Sequence, residues 1–146
     1  MRFMGGRILT REEDIAELVR SLRRIAVLGI KTEAQAGQPA FDVPEYLHAS
    51  GIEVVPVPVY YPEVARILGE PVYRRVADVP GELDCVDVFR KSVDLPPHLP
   101  DLVAKKPRSV WLQLGIRDDA FARALADAGI AVVQNRCLMV EHRRFA

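Results

Sequence analysis

Apolar residues in this chain come in two alternating patterns: short, nearly continuous runs, and stretches spaced as on one face of a helix. Runs at 25–28, 52–57, 83–89, 109–114 and 130–133 read as strands. A strand that is apolar nearly throughout is buried on both faces, which is the mark of a parallel sheet covered by helices. Between the runs, Ile15, Leu18, Val19 and Leu22 predict a helix over 11–22, introduced by a capping-box pattern at Thr10 and Glu13. A second helix begins at Pro39, in whose first turn a missing N–H costs nothing, and ends near Gly51. It carries Phe41, Val43, Tyr46 and Leu47 inward, and Pro44 either limits its first turn or delays its start. A short helix over 99–104 follows Pro96 and Pro97, and Asp118 or Asp119 caps a helix that runs through Ala128 and stops at Gly129. Residues 138–143 finish as a helical tail. Pro56 and Pro58 are expected to stop the second strand, and 60–79 to be irregular apart from a helical turn at 64–68. Strands alternating with helices through right-handed crossovers give an α/β class: a Rossmann-like, doubly wound parallel sheet of about five strands with helices on both faces.

Polar residues collect where the apolar runs stop. Gly29, Lys31 and Thr32 follow the first strand, and Asp87 to Arg90 end the third. Gln113 and Gly115 end the fourth, and Asn135, Arg136 and Cys137 follow the fifth. Four such junctions on one sheet edge predict a crevice of the kind that takes phosphorylated ligands, with Gly29 allowing close backbone approach. The dinucleotide fingerprint is not met. Gly29 has no second glycine two residues on, and the second strand ends in Val57, Pro58 and Val59 without a carboxylate. That argues against NAD or FAD.

At 146 residues the chain is expected to form one domain over 1–146, with residues 1–22 as an N-terminal helix packed on it. Its 20 basic and 20 acidic residues cancel, so no global field draws it to nucleic acid or to a membrane. Residues 1–7 lack the apolar core of a signal peptide, and no run is long enough for a membrane span. A cytoplasmic, reduced protein is the expectation. Cys85, Cys137 and the three histidines show no metal-ligand spacing. His48 and His142 are expected to face solvent, and Trp111 to lie in the core. Asp87 reads as a satisfied structural carboxylate, and Arg90 as a candidate ion-pair partner for Asp87 or Asp94.

Six ordered strings carry a family resemblance. They are Val27-Leu28-Gly29, Val54 to Val57, Gly69-Glu70 with Tyr73, Asp84 to Arg90, Val110 to Gly115, and Asn135-Arg136-Cys137. From about residue 22 to 145 the chain resembles the stand-alone CoA-binding proteins, which are similar to the CoA-binding domain of the succinyl-CoA synthetase α subunit. The resemblance implies non-covalent binding of coenzyme A or an acyl-CoA at the carboxyl edge of the sheet. Its phosphates would meet Gly29, Ile30, Lys31 and Thr32 and the helix start at Pro39, Ala40 and Phe41. Its adenine would pack near Pro56 and Val57, and its pantetheine arm would pass Phe89, Arg90, Lys91 and Gln113. One departure stands out: where the family commonly has Asn-Pro and then a basic residue, this chain has Pro58, Val59 and Tyr60. A lysine for the ribose 3′-phosphate is missing there, with Lys31, Arg90 or Lys91 as substitutes.

Three functions remain open on this reading. The first is a CoA-binding protein without catalysis of its own. The second is a small thiol- or acyl-CoA-handling enzyme using Cys137. The third is an interaction scaffold that has lost the ligand, with a protein partner or a second copy bound instead.

Overall fold

The structure, a computed structural model, describes residues 6–146. Most of the N-terminal stretch read for a leader therefore lies outside the described residues. In chain order the elements are α1 (Glu12–Ser21), β1 (Arg24–Leu28), α2 (Pro39–Ala49), β2 (Glu53–Val57), β3 (Arg66–Ile67), β4 (Glu70–Pro71) and β5 (Cys85–Val88). They continue with α3 (Leu99–Lys105), β6 (Ser109–Leu112), α4 (Asp119–Asp127), β7 (Ala131–Val133) and α5 (Leu138–Phe145). Short 3-10 turns lie at Glu33–Gln35, Val76–Asp78, Ser92–Asp94 and Pro96–His98.

Five strands pair in parallel in the order β2-β1-β5-β6-β7. The chain winds from β1 out to β2, then returns to the other side of β1 for β5 and goes on to β7. Strand order therefore reverses between β1 and β5. Alternate residues of each strand point to opposite faces. Ile25, Val27, Cys85 and Trp111 pack on one face with Leu18 of α1, Leu47 of α2 and Leu138 of α5. Ala26, Leu28, Val86 and Val110 pack on the other with Leu102 of α3 and Leu125 of α4. The expected doubly wound α/β architecture is the one observed.

Both sheet edges are covered. At the β7 edge, Ile8 forms a parallel bridge to Val132, with Leu9 N–H donating to Val132 O at 2.7 Å. At the β2 edge, Tyr73 N–H donates to Pro56 O at 2.9 Å.

Local expectations fail where partners come from elsewhere. The capping box at Thr10 and Glu13 does not form. Arg11 is the N-cap residue without a side-chain cap bond, and the Glu13 carboxylate takes the Arg11 guanidinium at 3.1 Å. A capping box forms instead at Thr32, whose N–H and hydroxyl both donate to Gln35 Oε1, at 3.0 and 2.7 Å. The second strand runs through Pro56 rather than stopping there. Glu53 N–H donates inward to Arg23 O, so the nitrogen three residues on points to the outer edge, where a ladder N–H has no partner to lose. The helical turn expected at 64–68 is instead the antiparallel pair β3–β4, with Leu68 and Gly69 at φ 55° and 76° in its tight turn.

Candidate functional site

The reversal of strand order leaves a crevice beyond the carboxyl ends of β1 and β5, the usual ligand position in an open α/β sheet. A space of about 500 Å³ opens there between the β1–α2 loop and the loops after β5 and β6.

Gly29 does not itself line this space but packs against the chain that does, at Phe89 and Arg90. The glycine has φ 85°, and a Cβ on it would stand 2.4 Å from Phe89 O. Only glycine allows the ends of β1 and β5 to lie this close.

The donors expected of the β1 turn are already engaged. Gly29 N–H donates to Val57 O at 2.9 Å, Lys31 N–H to Ala40 O at 3.0 Å, and Thr32 N–H to Gln35. The Lys31 bond depends on Pro44. A proline in α2 supplies no N–H to the carbonyl four residues back, which leaves Ala40 O open to the loop.

The anion-favouring element that remains is the N-terminus of α2. Gln38 is its N-cap but makes no side-chain cap bond, and Lys31 Nζ donates to the Gln38 side-chain oxygen instead. Helix starts carry about half a positive charge; here Pro39 has no N–H and the Phe41 and Asp42 N–H groups donate to Gln38 O, each at 2.9 Å, so Ala40 carries the first-turn N–H left over. Lys31, Arg90 and Lys91 stand around this terminus with Asp94.

Arg90 is held without a carboxylate among the described residues. Its Nε donates to His98 Nε2 at 3.1 Å, its NH1 reaches the Tyr60 hydroxyl at 3.4 Å, and its guanidinium lies 5.8 Å from the Tyr60 ring centre. The ion pair considered for it with Asp87 or Asp94 does not form. Burial, and then the Arg90 charge, lower the His98 pKa, so the neutral ring that accepts from Arg90 is the favoured form.

Of the residues singled out in the sequence, Lys31, Pro39, Ala40, Phe89, Arg90 and Lys91 line this crevice together. Ile30, Thr32 and Phe41 are buried behind it, and Pro56 and Val57 are buried within β2. Gln113 is buried too, and its side-chain oxygen accepts from Leu138 N–H at 3.0 Å, joining β6 to the start of α5. Tyr60, Ser92, Gly115 and Ile116 line the crevice without having been singled out for it. Gly115 belongs to a noted strand-end junction. Tyr60 and Ser92 carried no signal beyond their nearness to Val59 and Lys91.

A second cavity of about 310 Å³ lies on the far side of Arg90 and His98, lined by Leu28, Pro58, Val59, Arg74, Arg75, Pro97, His98 and Asp101. Its two arginines do different jobs. The Arg74 guanidinium donates to four carbonyls, those of Tyr60, Tyr61, Pro62 and Val64, and holds that loop in place. Arg75 is exposed, and its one ion pair is loose, 3.8 Å to Asp101. The Asp101 carboxylate is meanwhile engaged by the Val76 and Ala77 N–H groups, each at 2.8 Å.

Cys137 is the N-cap residue of α5 and lines neither cavity. Cys85 is fully buried in β5, and burial pushes its thiol pKa up.

Cationic side chains and a helix N-terminus meet at the switch point of a doubly wound α/β domain. Residues 23–143 match the family model described as a CoA binding domain, and the chain belongs to that family.

A solved structure from Thermus thermophilus, cell-free ID.343, is 38% identical and superposes with a TM-score of 0.84. The match covers 94% of this chain and 100% of that one. The uncharacterized protein YneT of Bacillus subtilis (strain 168) is 26% identical over 129 residues, or 88% of this chain and 92% of YneT. The dinucleotide forming acetyl-coenzyme A synthetase 1 of Ca. Korarchaeum cryptofilum, in its apo form, shares the fold at a TM-score of 0.65. It is 19% identical, over 79% of this chain and 27% of that one. No helix among the described residues is long and apolar enough to cross a membrane.

Proposed function

We propose that the protein binds coenzyme A non-covalently across the switch point, as one binding domain over 1–146 with α1 packed on it, and performs no chemistry on it. The observation that carries this reading is the uncapped N-terminus of α2 beside Lys31, Arg90 and Lys91, in a chain of the CoA binding domain family. A diphosphate needs fixed donors and cations, and this end of the crevice offers both. Gly29, Ile30 and Thr32 shape that end, and Pro39, Ala40 and Phe41 carry its helix start. The adenine lies toward Pro56 and Val57, in the second cavity against Pro58 and Val59. The pantetheine arm runs the other way past Phe89, Arg90 and Lys91, with Gln113 behind it. Arg75 takes the 3′-phosphate in place of the lysine this chain lacks, because it is the cation of the second cavity with the weakest hold on its own partner. Both cysteines are free thiols, in keeping with a reduced cytoplasmic setting.

Calorimetric titration of the ligand-stripped protein with CoA, dephospho-CoA and NAD tests the reading. Binding of CoA with silence toward NAD is expected. Arg75→Ala is expected to weaken CoA about tenfold and leave dephospho-CoA unchanged, the effect of one charged contact at a partly solvated site. Silence toward CoA from a folded sample rejects the proposal.

A further inference from the structure

A cavity of about 660 Å³, larger than the crevice, lies at the carboxyl end of β7, between the segment that bridges to that strand at Ile8 and the start of α4. Its lining shares no residue with that of the crevice. Three guanidinium groups line it, those of Arg117, Arg123 and Arg136, against one carboxylate, that of Asp119. A concave space of this size suits a small molecule.

The walls are held by side-chain bonds. Gln134 joins β7 to α4: its Oε1 accepts from Asp118 N–H at 2.8 Å, and its Nε2 donates to Asp119 Oδ1 at 3.1 Å. Asn135, at φ 58°, accepts from Gly115 N–H through Oδ1 at 2.7 Å. Trp111 Nε1 donates to Arg136 O at 2.8 Å and anchors the same loop to the core. The cations on these walls are unequally occupied. Arg136 meets Glu12 at 2.8 Å and, more loosely, Glu141 at 3.7 Å. The Arg117 side chain engages Nε alone, with Asp119 Oδ1 at 3.1 Å. Arg123 has neither a hydrogen bond nor an ion pair among the described residues. It stands four residues after Asp119 and so on the same face of α4, but that carboxylate already serves Arg117 and Gln134. Two guanidinium groups thus share one carboxylate, and donors outnumber acceptors.

We propose that this cavity is a second binding site, for a small oxyanion of two or more negative charges held by Arg117 and Arg123. Such an anion supplies the acceptors that the cavity lacks, and a guanidinium fork matches a phosphate or carboxylate group with two parallel bonds. The site stands beside the crevice without being part of it. The loop after β6 gives Gly115 and Ile116 to the crevice and Arg117 to the cavity. Arg117 N–H also donates to Ser92 Oγ at 3.1 Å, and Ser92 lines the crevice. The two ligands therefore meet opposite sides of one loop.

The test is a titration of the ligand-stripped protein with acetate, citrate and pyrophosphate, followed amide by amide with nuclear magnetic resonance. Saturable shifts at Arg117, Arg123, Gln134 and Asn135 are expected with citrate or pyrophosphate, at least about tenfold tighter than with acetate. Response to citrate alone marks a polycarboxylate ligand, and response to pyrophosphate alone a phosphorylated one; either supports the inference. Arg117→Gln and Arg123→Gln replace exposed side chains and are expected to keep the thermal unfolding midpoint. Each should weaken the cavity's response about tenfold and leave any response of Lys31, Arg90 and Lys91 in the crevice unchanged. Shifts confined to the crevice, or none that saturate at millimolar anion, overturn the inference. Acetate bound as tightly as the multiply charged anions overturns it too, and so does full affinity in both variants. None of these outcomes depends on CoA binding, so the two readings stand or fall separately.

Discussion

Asp87 stands fully buried in β5, in register between Val27 and Trp111, and neither carboxylate oxygen has a hydrogen-bond partner among the described residues. Burial alone pushes its pKa well above the ordinary carboxylate range, so the core holds the neutral acid. An unfolded chain releases this proton near about pH 4, whereas the folded one keeps it. Above that pH the unfolded state therefore binds fewer protons, and stability falls as pH rises until the folded group ionises in turn. The fall amounts to at most about 1.4 kcal/mol per pH unit. Asp87→Asn keeps the shape without the charge. It is expected to remove that slope and to be the more stable protein at neutral pH, read from urea unfolding between about pH 4 and pH 8. Parallel curves for the two proteins would refute this. The sequence reads Asp87 as a satisfied carboxylate, and the structure corrects this: both oxygens are buried without a hydrogen-bond partner among the described residues, because a partner would have to come from another element. Arg90 teaches the same lesson. Two nearby acids offered themselves as partners, yet its contacts are a histidine from the next loop and Tyr60, thirty residues back.

At the scale of elements, Pro44 couples α2 to the loop before it. With no N–H at 44, the Ala40 carbonyl serves Lys31 N–H, and the chain leaving β1 is tied down beside the helix start. Pro44→Ala restores a competing helical donor. The expected result is a more regular α2 and a faster-exchanging Lys31 amide, with the β1 amides unchanged. Hydrogen exchange resolved by residue checks it, and an unchanged Lys31 rate would disprove the coupling.

Five strands and five helices were legible because each buries enough apolar side chains to impose its period. The β3–β4 pair was not. Two-residue strands have no period to read, and the turn between them puts Leu68, a branched residue, at positive φ. The capping box was assigned to the wrong threonine for a related reason. Thr10 and Thr32 each have Glu or Gln three residues on, and only the tertiary setting decides which closes. The crevice was legible through the cations Lys31, Arg90 and Lys91 that line it. Its helix terminus was legible as a start but not as an uncapped one.

For the molecule as a whole, the two covered sheet edges matter most. A bare edge strand offers unpaired N–H and C=O groups to any neighbour. Here Ile8 and Leu9 close the β7 side, and the segment reaching Tyr73 closes the β2 side. Deleting residues 1–9 is expected to turn a sample of constant apparent mass into one that associates with rising concentration, followed by size-exclusion chromatography. The same elution at every concentration would show that β7 is harmless when bare.

With Ile8 and Leu9 laid along β7 and Tyr73 bonded to β2, the central sheet offers less bare backbone for another chain to continue. An assembly that leaves these edges alone is written in side chains on helices and loops. Such an assembly can be dismantled by a few surface substitutions while the sheet, and the crevice at its edge, stay as they are.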